Sequence, residues 1–182
     1  MIRAFVAIEV PQPLAGTLAA AQVGLEVGNP VPIENFHVTL AFLGEHSTRT
    51  IEDVADALSL ISPPAFDVSV AGLGTFGTAP RLLFAEVVPS QPLSDLRKRV
   101  RRAAAEGGIE LPRERYHPHI TLSRLGRGLI GESAEQLRSH IARRMGMVTG
   151  TFQATAFTLY ESRLGSSGPV YSALADFPMV PA

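Results

Sequence analysis

The chain contains no cysteine among its 182 residues. This excludes a disulfide framework, a zinc–thiolate site and a cysteine nucleophile. An excess of one charge is also missing, because the net charge at pH 7 is −1. No overall positive field therefore draws the chain to nucleic acid or to anionic lipid. A polyanionic substrate would have to be held by a local group of basic side chains.

Long apolar runs are missing as well. No segment approaches the ~20 residues of a membrane span. The apolar run in the opening "MIRAFVAIEVPQP" is too short for a signal peptide and is closed by Glu9. With 46% hydrophobic and 18% charged residues, the chain can bury an ordinary core. We expect a single cytoplasmic domain over residues 1–182 that is monomeric, uses no cofactor and does not bind membranes.

The same order of elements occurs twice along the chain, over approximately residues 1–78 and 79–182. Each half has a strand, a helix, a strand that contains a histidine, a second helix and a third strand. The segment "EVPQPLAGTL" of the first half is echoed by "VVPSQPLSDL" in the second. Two closing strands, "GTFQATAFTLYESRL" and "PVYSALADF", are separated by a predicted hairpin turn at 165–168.

The duplication predicts two pseudo-symmetric lobes whose equivalent elements face each other. The fold class predicted from this order is α+β with mostly antiparallel sheets. The alternative is a doubly wound α/β sheet. We favour it less, because the chain has no glycine-rich phosphate-binding loop of either common kind.

Each half carries the pattern His-x-Thr-Leu, as "HVTL" at 37–40 and "HITL" at 119–122. On a strand, residues i and i+2 share one face. His37 and Thr39 should therefore point the same way, and so should His119 and Thr121. Pairing of the lobes would direct two imidazoles and two hydroxyls into one cleft.

This set of groups suits phosphoryl chemistry. A neutral imidazole can deprotonate water and a protonated one can protonate a leaving oxygen, because the reference pKa of histidine is near 6.5. Threonine hydroxyls can donate hydrogen bonds to the phosphoryl oxygens. A single His-x-Thr would usually be an ordinary half-exposed strand, but two in matching places favour a function. A metal site is less favoured, because threonine is a poor ligand and no conspicuous cluster of acidic residues accompanies the histidines.

The two patterns and their flanks resemble the two-histidine (2H) phosphoesterase superfamily. Within it, the chain is most similar to the RNA 2′,3′-cyclic phosphodiesterases, once described as 2′-5′ RNA ligases. The segments that carry the likeness are "RAFVAIEVP", "ENFHVTLAFLG", "HPHITLSR" and "LYESRLGSSGPVYSAL". The resemblance implies two antiparallel sheets around a cleft with helices outside. It also implies metal-independent hydrolysis of a 2′,3′-cyclic phosphate, on an RNA end or a nucleotide, to a 2′-phosphomonoester.

The resemblance implies a role for each residue of the two patterns. His37 would donate a proton to the departing 3′ oxygen, and His119 would be the base that activates water. Thr39 and Thr121 would hold the phosphoryl oxygens. Two alternatives remain open: a phosphodiesterase acting on a small nucleotide such as an ADP-ribose cyclic phosphate, and a non-catalytic protein that binds RNA ends. Any joining of RNA would be the back reaction, because no nucleotide-binding loop is present to drive it.

Five residues after each histidine the halves differ, with Phe42 in one and Arg124 in the other. Arg124 has the forked donors for a phosphate contact, and the family resembled uses an arginine there. Simple alternation puts Ser123 on the cleft face, so Arg124 reaches the cleft only if the strand ends or twists. Gly126 favours such an end. Phe42 would stack on a nucleobase or lie in the core.

Three further histidines and a run of basic residues complete the candidates. His117 could share the face of His119 and perturb its pKa, or lie at the rim, which we favour. His46 and His140 are interpreted as surface residues. The basic residues of the helix after Pro92 are interpreted as a solvated face, whereas Arg113 and Arg115 are better placed to meet an RNA backbone.

Overall fold

The first strand, β1 (Ile2–Glu9), is buried along its centre, from Ala4 to Ile8. An apolar run without alternation suits a strand that is covered on both faces. The structure is a computed structural model that describes residues 1–126, 128–165 and 168–181.

The remaining elements of the described residues follow β1 in order. They are α1 (Gln12–Ala20), β2 (Asn29–Pro30), β3 (His37–His46), α2 (Thr48–Ser59), β4 (Phe66–Gly74), β5 (Leu82–Val87), α3 (Gln91–Glu106), β6 (His119–Arg124), α4 (Gly131–Arg144), β7 (Thr149–Ala154), β8 (Ala156–Gly165) and β9 (Gly168–Pro178). No helix among these is long and apolar enough to cross a membrane.

The strands form two sheets, and their named pairings are all antiparallel. The first sheet has the order β3-β1-β8-β9 and the second sheet has the order β2-β6-β5-β4-β7. The strands that carry the two histidine patterns, β3 and β6, are called the motif strands below. The predicted α+β class with mostly antiparallel sheets is confirmed.

The sheets do not follow the repeat in the sequence, because each half gives two strands to the sheet of the other, β2 and β4 from the first half and β8 and β9 from the second. β4, from the first half, pairs with β5 and β7 in the second sheet. β8, from the second half, pairs with β1 in the first sheet. The segment predicted as one strand over "GTFQATAFTLYESRL" is therefore two strands, β7 and β8, which meet at Thr155 and belong to different sheets.

Helices α2 and α3 pack against each other and bury the faces that their helical spacing predicts. Leu93, Leu96 and Val100 of α3 are each at most 1% exposed, and burying one such side chain fully contributes about 1.5–3 kcal/mol. Both helices begin at a serine whose hydroxyl accepts a backbone N–H three residues on, Ser47 for α2 and Ser90 for α3.

His140 is not at the surface, and that interpretation is wrong. It lies on the buried face of α4 and is 2% exposed. Its Nε2 donates a hydrogen bond to the carbonyl oxygen of Ala21 at 2.6 Å. The backbone of the turn after α1 therefore gives the imidazole a partner away from water, which is why a polar side chain is tolerated there.

Candidate active site

The motif strands present the two predicted pairs of side chains in the same way. His37 and Thr39 are half-buried, whereas the residues between and after them are buried. His119 and Thr121 show the same pattern on β6. The alternation of a strand thus keeps each imidazole and hydroxyl out of the core.

A β-bulge follows the threonine of each pattern. In β6, Thr121 lies opposite Phe84 but Ser123 lies opposite Leu83, so one strand has an extra residue. In β3, Thr39 lies opposite Ala7 but Ala41 lies opposite Val6, so β3 also has an extra residue. A bulge of this kind reverses the side-chain alternation beyond it.

The bulge in β6 overturns one prediction about the cleft face and explains another. Ser123 is 0% exposed, and its Oγ donates a hydrogen bond to the carbonyl oxygen of Asn29 at 3.0 Å. Placing it on the cleft face by simple alternation was wrong. Arg124, the last residue of β6, is exposed on the same side as Thr121, because the extra residue shifts the alternation by one.

The bulge in β3 acts on Phe42 in the same way. Phe42 is 68% exposed, so the alternative that places it in the core is wrong. Its ring centroid lies 6.1 Å from that of Phe5, which is opposite it on β1. An exposed ring on this face is free to stack, and contact with a nucleobase stays a prediction.

Each motif histidine is held by the carbonyl group two residues before it. His37 Nδ1 lies 2.7 Å from the carbonyl oxygen of Asn35, and His119 Nδ1 lies 2.8 Å from that of His117. Because a carbonyl oxygen only accepts, each Nδ1 carries the hydrogen. In both residues Nε2 is therefore the nitrogen left for chemistry.

Aromatic side chains surround both imidazoles. The ring centroid of His37 lies 4.9 Å from that of Phe5 and 5.4 Å from that of Tyr171, whose ring is nearly perpendicular to the imidazole. His119 lies 5.2 Å from Phe76 and 5.0 Å from Phe84, measured between ring centroids. These walls fix the ring planes and remove water from around the imidazoles.

Burial disfavours the charged form of both histidines. It lowers the pKa of His37 to about 4, although the Asn35 carbonyl opposes the shift, and the positive charges of Arg124 and His119 lower it further. Burial also lowers the pKa of His119, with the carbonyl bond to His117 opposing it. At neutral pH, His37 is therefore uncharged while no anion is bound.

Arg124 reaches across to the first sheet. Its Nη2 donates a hydrogen bond to the hydroxyl of Tyr171 at 3.1 Å, and the ring of Tyr171 meets His37 edge-on. No role for Tyr171 was predicted from the sequence, although it lies in one of the segments that carry the family resemblance. Ser166 and Ser167 of the predicted turn lie outside the described residues.

A second tyrosine ties the motif strands together. Tyr116 donates a hydrogen bond from its hydroxyl to the carbonyl oxygen of Thr39 at 3.0 Å. The guanidinium of Arg97 lies 4.3 Å above its ring, and burial raises the pKa of Tyr116. The segment before β6 is thereby fixed to β3. The interpretation of Arg97 as part of a solvated helix face was wrong, since its side chain is only 11% exposed.

A cavity of about 610 Å³ adjoins Arg124 and Tyr171. Proline rings and polar side chains line it, including Pro30, Pro32 and Asn35. Pockets of a few hundred Å³ with apolar walls and a few polar groups are typical of sites for small ligands. Among the described residues, no group of three or more acidic or histidine side chains is placed to hold a metal ion.

Two antiparallel sheets that each offer a histidine and a threonine on a bulged strand define a two-histidine phosphoesterase. A family model of the 2′-5′ RNA ligase superfamily matches residues 11–165. The chain belongs to this superfamily, and the resemblance noted in the sequence is confirmed.

Two curated relatives illustrate the match, and both are named RNA 2′,3′-cyclic phosphodiesterase. One, from Geobacillus stearothermophilus, is 32% identical over 153 residues, which cover 82% of this chain and 47% of that protein. The chain thus spans about half the length of this relative. The other, from Aeropyrum pernix, is 31% identical over 149 residues, with 79% of this chain and 81% of that protein covered. At the level of the family, the predicted enzyme class is confirmed.

Solved structures agree with this assignment. Escherichia coli LigT complexed with 3′-AMP has a TM-score of 0.74 at 26% identity, covering 98% of this chain and 97% of that one. The protein TT0787 of Thermus thermophilus has a TM-score of 0.77 at 26% identity, covering 97% of both chains.

Proposed function

We propose that the protein hydrolyses a 2′,3′-cyclic phosphate on an RNA end or a nucleotide and leaves a 2′-phosphomonoester. The observation that carries the proposal is the equivalent setting of His37 and His119. Each donates from Nδ1 to a backbone carbonyl and keeps Nε2 for chemistry. The names of the curated relatives support the same substrate class.

The proposed reaction is an in-line displacement in which the two imidazoles exchange protons with the substrate and water. Nε2 of neutral His119 removes a proton from water as the water oxygen bonds to phosphorus. The bond from phosphorus to the 3′ oxygen breaks, and protonated His37 gives that oxygen a proton from Nε2. The histidines then exchange protons with solvent and return to their starting states.

The remaining groups of the site would hold the phosphate. Thr39 and Thr121 would donate hydrogen bonds to its non-bridging oxygens, and Arg124 would place a fixed positive charge beside them. Donors that are already oriented stabilise the charge that spreads over these oxygens in the transition state. Tyr171 holds the guanidinium of Arg124 near His37.

The low pKa of His37 sets a condition on its role as proton donor. At about 4, this pKa leaves few molecules with a protonated His37 at neutral pH. A bound phosphate is negatively charged, so it favours the imidazolium and raises the pKa of His37. Substrate binding would therefore supply the charge that makes the donor competent.

This condition predicts different pH profiles for the two kinetic parameters. Since kcat/KM follows the free enzyme, in which the pKa values of both histidines lie below the reference value of 6.5, its alkaline limb should lie below pH 6.5. The alkaline limb of kcat should lie at higher pH, because the bound anion keeps His37 protonated. Both profiles can be measured on 2′,3′-cyclic AMP between about pH 3.5 and 9. Coincident alkaline limbs for kcat and kcat/KM would contradict the proposed donor.

The reaction described needs no metal ion. We expect the purified protein to open a 2′,3′-cyclic nucleotide at an undiminished rate in excess EDTA, and added Zn²⁺ or Mn²⁺ should not raise the rate. The measurement is product formation before and after chelation. Activity that is lost in EDTA and restored by one of these metals would show that the histidines serve a metal instead.

The cavity beside Arg124 supports a nucleotide as the group attached to the phosphate. Arg124 and Tyr171 line this cavity and also border the proposed phosphate site. Solved complexes of Escherichia coli LigT with 3′-AMP and with NADP⁺ show that a protein of similar fold accepts nucleotides.

A substrate panel separates the proposed function from its alternatives. It should contain oligonucleotides that end in a 2′,3′-cyclic phosphate, the four cyclic mononucleotides and an ADP-ribose cyclic phosphate, with products resolved as 2′- or 3′-phosphates. We expect turnover of the oligonucleotides to 2′-phosphates. Turnover of the ADP-ribose compound alone would favour the small-nucleotide enzyme, and tight binding without turnover would favour an RNA-end binder.

A further inference from the structure

His117 is an ion-pair partner of Glu86 at the edge of the site. Its Nε2 lies 2.8 Å from Glu86 Oε2, and the side chains are 48% and 36% exposed. Glu86 lies on β5, directly opposite His119 in the register of the sheet. The pair therefore sits beside the proposed base and is open to solvent on its other side.

His117 also contacts His119 through its backbone. Its carbonyl oxygen accepts the Nδ1 hydrogen bond of His119 at 2.8 Å. A shift of His117 would move the group that sets the ring plane and the tautomer of His119. The ion pair with Glu86 restrains His117 at the end of its side chain, and β-sheet pairing restrains Glu86.

The two imidazoles share one set of aromatic walls. Phe76 meets His117 edge-on at 5.1 Å and His119 edge-on at 5.2 Å. Phe84 lies 5.6 Å from His117 and 5.0 Å from His119, and the two imidazole centroids are 6.4 Å apart. Solvent screens part of the charge on this half-exposed pair, but at this distance a charge on either member still acts on His119.

We propose that the ion pair between His117 and Glu86 is a positioning device for His119, one that fixes its ring and balances the charge around it. This inference rests on the proposed function for the role of His119 as base. It assigns His117 more than a place at the rim of the cleft. Glu86 was not singled out by sequence analysis, since nothing local connects it to a histidine 31 positions later.

The charges that face His119 come from three elements. Glu86 on β5 raises the pKa of His119, and protonated His117 before β6 lowers it. On β3, His37 is close enough for charge on one imidazole to act on the other. With His117 protonated, the pair offers His119 nearly no net charge. Glu86 alone would present a negative charge to His119, and protonated His117 alone would present a positive charge.

This balance predicts that substitution of Glu86 and substitution of His117 shift the pKa of His119 in opposite directions. Glu86→Gln removes the negative charge, so the pKa of His119 should fall. His117→Gln removes the positive charge and leaves Glu86 unbalanced, so the pKa of His119 should rise. His117→Gln keeps the backbone carbonyl, and therefore the Nδ1 bond. The double variant should return close to the parent protein.

The test is an NMR titration of the His119 ring in the full chain. The titration works whether or not the proposed reaction is right, so failure of the proposed function would not hide the result. We expect the midpoint of the His119 titration to move to lower pH in Glu86→Gln and to higher pH in His117→Gln. Activity at the optimum should stay within about tenfold of the parent, since neither residue would itself transfer a proton.

Glu9 supplies the matched control, because it lies opposite His37 in β1 as Glu86 lies opposite His119. Glu9→Gln should leave the titration of His119 unchanged. Shifts in one direction for both Glu86→Gln and His117→Gln would indicate a general loss of structure and would overturn the proposal. So would the absence of any shift in both.

Discussion

His37→Ala and His119→Ala should each lower kcat/KM on a 2′,3′-cyclic nucleotide by ~10²-fold or more, the usual scale for a general acid or base. His37→Ala removes the proton for the 3′ oxygen, and His119→Ala removes the acceptor for the proton of water. In the kcat profile, where the bound anion raises the pKa of His37, each variant should also lose one limb, the alkaline limb in His37→Ala and the acid limb in His119→Ala. The measurement is steady-state hydrolysis over the full pH range.

His46 offers a control on the same strand as His37. It lies at the far end of β3, where its Nε2 donates to the carbonyl oxygen of Leu43 at 2.8 Å. His46→Ala should keep the activity within about twofold and the pH profile unchanged. Thermal melts of all three variants would exclude unfolding. If His37→Ala or His119→Ala turned over normally while folded, the two-histidine mechanism would have to be abandoned.

Arg124→Ala should cost ~10²-fold to 10³-fold in kcat, the scale observed when one oriented donor is taken from a developing charge. Arg124→Lys keeps the charge, but it loses the fork that can hold two phosphate oxygens and the bond to Tyr171 together. We therefore expect the lysine variant to lose much more than a conservative change would suggest. Kinetics on a cyclic mononucleotide, with kcat and KM separated, measure both effects.

Arg138 is the matched control for Arg124. It forms an ion pair with Glu135 on the exposed side of α4, and surface pairs of this kind contribute little. Arg138→Lys should leave kcat and KM unchanged. Tyr171→Phe should give a loss between those of the control and of Arg124→Lys, because the guanidinium stays but is no longer held. Normal turnover in Arg124→Ala would remove the phosphate contact and leave the two histidines standing.

Much of the site was predictable, because period-two alternation acts within a few residues. It predicted that His37 and Thr39 share a face, and that His119 and Thr121 share a face, without reference to the strands that pair with them. Ser123 shows where this argument fails. A bulge depends on the register of the partner strand, so the sequence of β6 alone could not reveal that Ser123 turns inward and Arg124 outward.

The contacts of Tyr171 and Tyr116, and the exchange of strands between the halves, could be identified only from the tertiary structure. Tyr171 and Arg124 are 47 positions apart, and Tyr116 and Thr39 are 77 positions apart. No periodicity links such pairs. The repeat in the sequence correctly predicted two equivalent sets of elements. It could not predict that β4 and β8 would each join the sheet of the other half, because the pattern within a strand does not identify the strand that it pairs with.

The exchange of β8 has a consequence for how the protein matures as it is synthesised. β1 and β3 are synthesised before every strand of the second sheet except β2, yet β8 and β9, which complete the sheet of β1 and β3, are synthesised after all of the others. Such distant pairings form late in folding. His37 and Arg124 can therefore come together only when nearly all of the chain has emerged. A nascent chain that lacks β8 and β9 would hold both histidine patterns without the complete proposed site, because Tyr171, the partner of Arg124, lies on β9.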